Sequence, residues 1–368
     1  MDDLATLSSR YGAFYAPAFS VKVGGQDLPR SLGIAVSQVE ADRTLSAMGR
    51  FSFTVVDSYD LEKRAFVTKQ GQQVLDILTF GATVEIAVGY GDLSRLTTVM
   101  HGLITEITTS FPDGGVPELS VAGYDLLFPL SLGKHSNSYR DRADSDVIAS
   151  LAREFSLATR IEPTSERHAQ IEQNQESDFD LVKKLAERNH YEFYIDSQKR
   201  LNFAPPDDKR EGVAMLSWGE SLLSFKPEAN LAAQVSSVVV YGWDPQRKQA
   251  IIGRASAGDE SGHDPRRSSG GERLRAALGR TPVLEVRQPV FTEAEARRRA
   301  EAILNDHAKQ FLTGDAECIG LPELLPDRNV TLGQLGAPFS KTYYIQQSVH
   351  KVDESGYRTR IKVKETSL

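Results

Sequence analysis

Tyr357-Arg358-Thr359-Arg360-Ile361-Lys362-Val363-Lys364-Glu365 has the two-residue period of a β-strand with one dry face. Tyr357, Thr359, Ile361 and Val363 face one way; Arg358, Arg360, Lys362 and Lys364 face the other. A turn at Asp353-Glu354-Ser355-Gly356 precedes it, and before that a run from Tyr343 to Val352, so the chain closes on a hairpin. A second hairpin is expected where Leu103 to Thr108 and Leu119 to Tyr124 flank Pro112-Asp113-Gly114-Gly115. Upstream of the earlier hairpin stands Val84-x-Ile86-x-x-Gly89, and upstream of the later one Val330-x-Leu332-x-x-x-Gly336. Three successive elements therefore agree in order, turn chemistry and spacing, at low identity. Any two antiparallel β units share some likeness; three matching elements in succession favour duplication. Two similar units per chain, assembled in three copies, would present six around an axis, and head-to-tail contacts that close give rings.

The rest of the first 128 residues reads mainly as strands, Phe51-Ser52-Phe53-Thr54-Val55 among them. Asp60 to Thr68 is open between helix and loop. The middle, 129–215, changes character. Val147, Ile148, Leu151, Ala152 and Phe155 recur at helical spacing, with Asp144 or Ser145 as a cap. A second helix is expected from Asp178 to Asn189, with Ser177 and Asp180 resembling a capping box. A hairpin follows, Tyr191 to Ile195 and Arg200 to Phe203, and Pro205-Pro206-Asp207-Asp208 marks a boundary. In 216–368, Ser236 to Tyr241 reads as a buried strand broken by Asp244-Pro245, with Ala250 to Gly253 pairing back. Residues 255–279 hold little that can be buried and read as a mobile loop. Thr292 and Glu295 form a capping box for a long helix over 292–312. The fold class expected is mainly β, two related β units around a small α/β insert.

The chain has 368 residues, 40% hydrophobic and 25% charged, with a formal net charge of −7. That composition fits a globular protein of two or three domains and argues against a dedicated nucleic-acid binder, which carries a basic surplus. The N-terminus, Met1-Asp2-Asp3-Leu4, is acidic and leads into no apolar run, so synthesis in the cytoplasm without a signal peptide is expected. Val238-Val239-Val240-Tyr241 falls far short of the roughly 20 apolar residues a membrane helix needs. Cys318 is the only cysteine, so no internal disulfide can form.

No catalytic, cofactor-binding or metal-ligating residue stands out. The histidines, His101, His135, His168, His190, His263, His307 and His350, never take the spacing of a helical zinc pair. No G-x-S-x-G elbow or Walker run occurs, and Gly89-Tyr90-Gly91 lacks the third glycine of a dinucleotide loop. Arg297-Arg298-Arg299, with Arg266-Arg267, could form a phosphate patch. Glu293, Glu295 and Glu301 share the helix and favour a solvated or inter-subunit salt-bridged face. The cations of the last strand have two readings. One is an exposed face kept soluble by charge; the other is a face turned to a lumen or a partner.

Three stretches carry a family likeness. Val238-Val239-Val240-Tyr241-Gly242-Trp243-Asp244-Pro245, then Ile251-Ile252-Gly253, resembles the V-x-V-x-G-W-D-P stretch of phage late control D proteins. Glu176-Ser177-Asp178-Phe179-Asp180-Leu181-Val182-Lys183-Lys184-Leu185-Ala186-Glu187 with Tyr191-Glu192-Phe193-Tyr194 resembles their helix-and-hairpin signature, shared by the N-terminal part of type VI secretion spike proteins. Val121-Ala122-Gly123-Tyr124-Asp125-Leu126-Leu127 resembles their G-Y-D strand end. The ordered set spans nearly the whole chain.

The resemblance implies a contractile-tail baseplate hub with two tube-type β-barrel domains, 1–128 and 216–368, flanking the 129–215 insert. Such a hub is a homotrimer with pseudo-sixfold symmetry. It joins a trimeric spike to a hexameric inner tube or tube initiator, beside other baseplate proteins and a tape-measure protein or cargo in the lumen. The chain stops at Leu368, where type VI spike proteins continue into an OB-fold and a needle, so the spike is expected to be a separate polypeptide. The resemblance implies no enzymatic activity, no cofactor, no membrane insertion, and a place in a phage tail, an R-type bacteriocin or an extracellular injection particle. The competing readings are a tail-associated cell-wall hydrolase and a nucleic-acid-binding module.

Overall fold

The alternating segments join into one long, mostly antiparallel sheet in the computed structural model. It describes residues 2–207, 211–244, 247–261, 263, 266–279, 282–287, 290 and 292–368. Met1, Asp208 of the boundary motif and Pro245 of the G-W-D-P stretch lie outside the described residues.

Helix α1 (Leu4–Arg10) starts where the Asp3 carboxylate accepts the Thr6 N–H at 2.8 Å. There follow β1 (Pro17–Val23), β2 (Gln26–Asp27), α2 (Leu28–Leu32) and the hairpin β3 (Ala35–Thr44) and β4 (Arg50–Val56). The stretch 60–68 is neither helix nor plain loop. It belongs to a small hairpin of β5 (Tyr59–Asp60) and β6 (Ala65–Phe66), whose turn is held by Asp60 accepting the Glu62 and Lys63 N–H groups at 2.9 Å. Helix α3 (Val74–Ile77) leads to β7 (Thr83–Tyr90), β8 (Thr97–Ser110) and β9 (Glu118–Asp125).

The middle segment contains β10 (His135–Ala143), α4 (Asp144–Glu154), β11 (Ala158–Ile161), β12 (Arg167–Glu176), α5 (Asp178–Asn189), β13 (Glu192–Ile195) and β14 (Arg200–Ala204). Its own core gathers Val147, Ile148, Leu151, Leu181, Val182, Leu185, Phe193 and Phe203. The expected cap of α4 needs correction. Ala143 is the N-cap residue, its N–H donating back to Asp146 at 3.2 Å, and Asp144 instead takes a buried ion pair described below.

The last part runs β15 (Met215–Ser217), β16 (Leu222–Ala229), β17 (Ser237–Asp244), β18 (Gln249–Ser256), α6 (Gly270–Leu278), β19 (Val283–Arg287), α7 (Glu293–Ala308), β20 (Leu312–Ile319), β21 (Asn329–Gly333), β22 (Lys341–Asp353) and β23 (Gly356–Glu365). Two expectations change here. Part of the loop at 255–279 is helix α6, nucleated by Ser269, whose hydroxyl accepts the Glu272 N–H while the Glu272 carboxylate accepts the Ser269 N–H. The long helix ends at Ala308, not 312. Phe311 is buried just after it, and Leu312 already pairs with Ala229 of β16.

The long sheet has the order β16-β20-β23-β22-β3-β4-β9-β8-β7-β1, with β21 also beside β22 and β15 beside β21. Its halves repeat in register. Val55 of β4 faces Leu119 of β9, and Cys318 of β20 faces Thr359 of β23. Ile104 of β8 faces Gly123 of β9, and Ile345 of β22 faces Val363 of β23. A bulge follows Ile104 and another follows Ile345; a second pair follows Val36 in β3 and Leu222 in β16. Since a slip of one residue turns every side chain to the wrong face, shared register with shared bulges goes beyond generic β likeness. The equivalent strands are β3 and β16, β4 and β20, β7 and β21, β8 and β22, β9 and β23.

The halves differ in what hangs from their turns. Leu45–Gly49 alone joins β3 to β4, whereas 230–311 between β16 and β20 holds the small sheet β18-β17-β19 and α7. Val238, Val240, Ile251, Ala255, Ala296, Ala300 and Leu304 form a separate core there. At Gly253 a Cβ would lie 2.0 Å from the Ala296 carbonyl carbon, so α7 rests directly on the strand backbone. The two halves also share core residues. Val352 and Tyr357, at the tip of β22–β23, are buried in the core of the first half, and Leu7 of α1 in that of the second. Burial of this kind is worth about 1.5–3 kcal/mol for a large side chain. Among the described residues no helix is long and apolar enough to cross a membrane.

Candidate functional site

The feature with most chemistry is the wet face of the long sheet. Alternation sends Val39, Ala41, Phe51, Phe53, Ile361 and Val363 into the cores and leaves Arg358, Arg360 and Lys362 exposed on the other side. These cations do not stand alone. Arg358 and Arg360 reach Glu317 of β20 at 2.7 and 3.4 Å, and Lys362 stands opposite Asp315. Lys351 of β22 stands opposite Glu40 of β3, and Asp42 opposite Arg50 of β4. The hydrogen bond from Arg358, with the charge of Arg360, holds the Glu317 carboxyl below its usual range. Exposed pairs of this type are worth about 0.2–1 kcal/mol each, so they decide sign pattern more than stability. Ser224, Lys226, Asp315, Glu317, Gln347, Arg360 and Lys362 border a shallow hollow of about 330 Å³ on this face. Lys364 departs from the expected row, being half-buried beside Glu192 and Lys309, and burial lowers its pKa.

The joint between halves is the second feature. β22 pairs with β21 through Lys341–Tyr344 and then, along the same edge, with β3 through Gln347–Val352. Buried polar groups lock the seam. His350 meets the Tyr357 hydroxyl at 2.8 Å and the Leu324 carbonyl at 3.1 Å, and burial pushes its pKa down to about 3. Arg43, buried, donates to the Val99 carbonyl at 3.2 Å and to the Ile195 carbonyl of the middle segment. Asp125 accepts the Gly49 and Leu127 N–H groups at 2.8 and 2.9 Å, while burial lifts its pKa to about 6.

The other candidates from sequence are absorbed into structure. Asp144, 1% exposed, takes Arg188 Nε at 2.8 Å and Asn189 Nδ2 at 2.6 Å, with His168 at 3.5 Å. On α7, Arg297 pairs with Glu301 at 2.8 Å, Arg298 with Glu166 of the middle segment, and Arg299 lies 4.0 Å from Glu295. The arginine run is therefore a salt-bridged face within the chain, and its charge is committed to carboxylates. Arg267 reaches the Pro338 carbonyl at 3.5 Å. His101 meets the Ser197 carbonyl, His307 the Ala233 carbonyl, and His190 the Asp306 carboxylate at 2.8 Å. Among the described residues no three His, Cys, Asp or Glu gather to hold a metal ion. Cys318 is fully buried, its thiol pushed well up by burial and donating to the Thr359 carbonyl at 3.3 Å.

Sequence reasoning singled out the cations of β23 but not their partners. The partners were visible as the alternate positions Asp315 and Glu317, and Glu40 and Asp42, once pairing is known. The β3–β22 seam was not visible, because it joins segments some 300 positions apart in the chain.

Residues 15–354 match the profile of the family described as the Alg8 N-terminal domain. No curated protein matches the sequence. Among solved structures, the chain is similar to the 43 kDa tail protein of prophage MuSo2 from Shewanella oneidensis, at 14% identity over 95% of this chain and 98% of that one, with a TM-score of 0.68. It is similar to the tail protein from Neisseria meningitidis MC58, at 16% identity over 95% and 97%, with a TM-score of 0.67. It is also similar to the E. coli c3393 protein, a component of the type VI secretion system, at 12% identity over 94% and 77%, with a TM-score of 0.56. At these identities the likeness is one of fold, the fold of phage tail proteins and of a type VI secretion component.

Proposed function

The chain belongs to the family described as the Alg8 N-terminal domain; from its duplicated strand lattice and its likeness in fold to phage tail proteins, we propose that it is the structural baseplate hub of a contractile injection apparatus. In this reading 1–128 and 216–368 are the two tube-type units and 129–215 the insert between them. Three chains close into a ring of six similar units, with a trimeric spike on one side and the inner tube or its initiator on the other. The ring is built into a phage tail or a phage-tail-like particle. Its work is mechanical: it matches threefold to sixfold symmetry, transmits force and leaves a lumen for cargo. No residue is given a catalytic role.

The observation that carries this reading is the register-matched duplication, bulges included. A single chain that offers the same strand lattice twice can meet a hexameric neighbour with three copies. The mixed-charge wet face suits a lumen wall, since it is hydrated without holding a single sign of charge against a passing polymer.

The test is the mass of the purified protein by light scattering or sedimentation. A trimer is expected. A monomer at micromolar concentration, or a two-fold dimer, would count against the hub. Release of peptidoglycan fragments lost on one point substitution would favour a hydrolase instead, and steeply salt-dependent DNA retention a nucleic-acid module.

A further inference from the structure

We infer that the outer face of the small sheet β18-β17-β19 is a docking surface for a second protein, and that its occupant is an amphipathic helix flanked by acidic side chains. The inference goes beyond the hub reading and stands on the small sheet alone.

Alternation divides this sheet into two faces. Val238 and Val240 of β17, with Ile251 and Ala255 of β18, enter the core under α7. Val239, Tyr241 and Trp243 therefore point away from α7. In register, Tyr241 stands between Ile252 of β18 and Arg287 of β19, and Val239 between Arg254 and Glu285. Val239 is buried there, but Trp243 is 58% exposed, Val283 51% and Ile252 40%. The V-x-V-x-G-W-D-P stretch is used up by the inner face except at one position. Its valines, Val238 and Val240, fill the core, and a Cβ at Gly242 would lie 2.2 Å from Val290. Asp244 holds the turn by accepting the Arg247 N–H at 3.0 Å. Trp243 alone serves nothing inside the chain's core. Apolar side chains exposed together on one face mark a contact surface, and Trp, Tyr and Arg are the residues that anchor interfaces.

Strand direction and charge set the occupant. β17 runs parallel to β19, and parallel pairing is typical of sheets with helices on both faces. α7 supplies one layer and leaves the other place open. Three strands about 4.8 Å apart, with five residues of β17 in register with β19, give a face of about 14 by 17 Å. A helix of about three turns spans it. Residues 244–290 carry nine Lys and Arg against six Asp and Glu, on a chain whose net charge is −7. Arg254 and Arg287 stand on the outer face and Arg247 at its β17–β18 turn, with Glu285 and Asp244 as the opposing charges. An apolar row rimmed by guanidinium groups fits an apolar ridge rimmed by carboxylates.

The test uses the full chain. Trp218→Phe leaves Trp243 as the only tryptophan. The probe is an amphipathic peptide of about 18 residues, long enough to hold a helix, with Leu on one face and Glu beside it; its Lys-for-Glu counterpart is the control. The Glu peptide is expected to move Trp243 emission to shorter wavelength along a saturating curve, about ten-fold tighter than the Lys peptide, and to weaken with salt. Ile252→Asp, at an exposed position, is expected to abolish the shift with circular dichroism unchanged. Arg254→Glu with Arg287→Glu is expected to reverse the preference between peptides. No shift from either peptide, equal shifts from both, or an Ile252→Asp variant that binds unchanged overturns the inference. A shift that grows with protein concentration alone makes the occupant a second copy. A shift from N-acetylglucosamine oligomers but not from the Glu peptide makes it a glycan. Either result also overturns the inference, and none of these outcomes touches the hub reading, which is tested by the mass of the assembly.

Discussion

His350 and Asp125 lie close to Arg43 at the seam and titrate in opposite senses. Burial, with the charge of Arg43 adding to it, holds His350 neutral, with a pKa near about 3. An unfolded histidine takes up its proton near about 6.5. The stability contributed by neutral His350 is therefore present above about pH 6.5 and is lost as pH falls toward 3, by at most about 1.4 kcal/mol per pH unit for one proton. Asp125 runs the other way. Burial outweighs its two backbone hydrogen bonds and Arg43, raising its pKa to about 6. The folded chain then keeps a proton that the unfolded carboxyl, near about 3.9, has released, so this contribution is present at low pH and lost as pH rises through 6. His350→Gln removes the first effect and leaves the second. Urea midpoints between pH 4 and 6.5 should decline less on acidification in the variant than in the parent. Equal slopes in the two proteins would refute the assignment.

Helix starts and one close approach dominate at the scale of elements. Ser177 caps α5 by accepting the Asp180 N–H at 3.1 Å, and the Asp180 carboxylate takes the Ser177 hydroxyl at 2.7 Å. Ser177→Ala is expected to cost about 1 kcal/mol, read as a lowered melting temperature. No change on melting would mean that the core contacts of α5 alone hold its first turn. Gly253→Val should cost more, about 1–3 kcal/mol, because the new side chain meets the Ala296 backbone with no room to turn. A neutral result by calorimetry would contradict the direct helix-on-strand contact. These elements also divide what was legible in the sequence. The α5 capping box, both hairpins and the alternation of β23 were legible, because each is local and periodic. The β10–β12 pair was not, since His135–Ala143 and Arg167–Glu176 are almost wholly polar and carry no apolar alternation. Helix α6 was hidden in a Gly- and Ser-rich stretch whose Ser269-Gly270-Gly271-Glu272 is nonetheless a capping box. Among candidate surfaces, the β23 cations could be picked out, but their carboxylate partners depend on strand order, which no local pattern encodes.

Across the whole molecule the cores are several, and the one under α7 is a cluster of its own, joined to the middle segment by polar contacts such as His190 with Asp306 and to the second half by contacts such as Lys309 over the Tyr344 ring. A unit with its own apolar core can open without its neighbours. Native-state hydrogen exchange should therefore show β17 and β18 exchanging together, at a lower free energy than β8 and β9. A single common value for all four strands would show that the insert unfolds only with the rest. The strand ladder itself differs greatly at its turns and keeps its register along β3–β4 and β16–β20. Five residues bridge β3 and β4 where a whole folded unit bridges β16 and β20, yet the facing residues are the same pairs. In a closed ring of three chains, that contrast splits counting between two parts of one protein. The ladder would count to six for whatever stacks on it, while the unit carried at only one of each pair of turns would count to three, marking every second position.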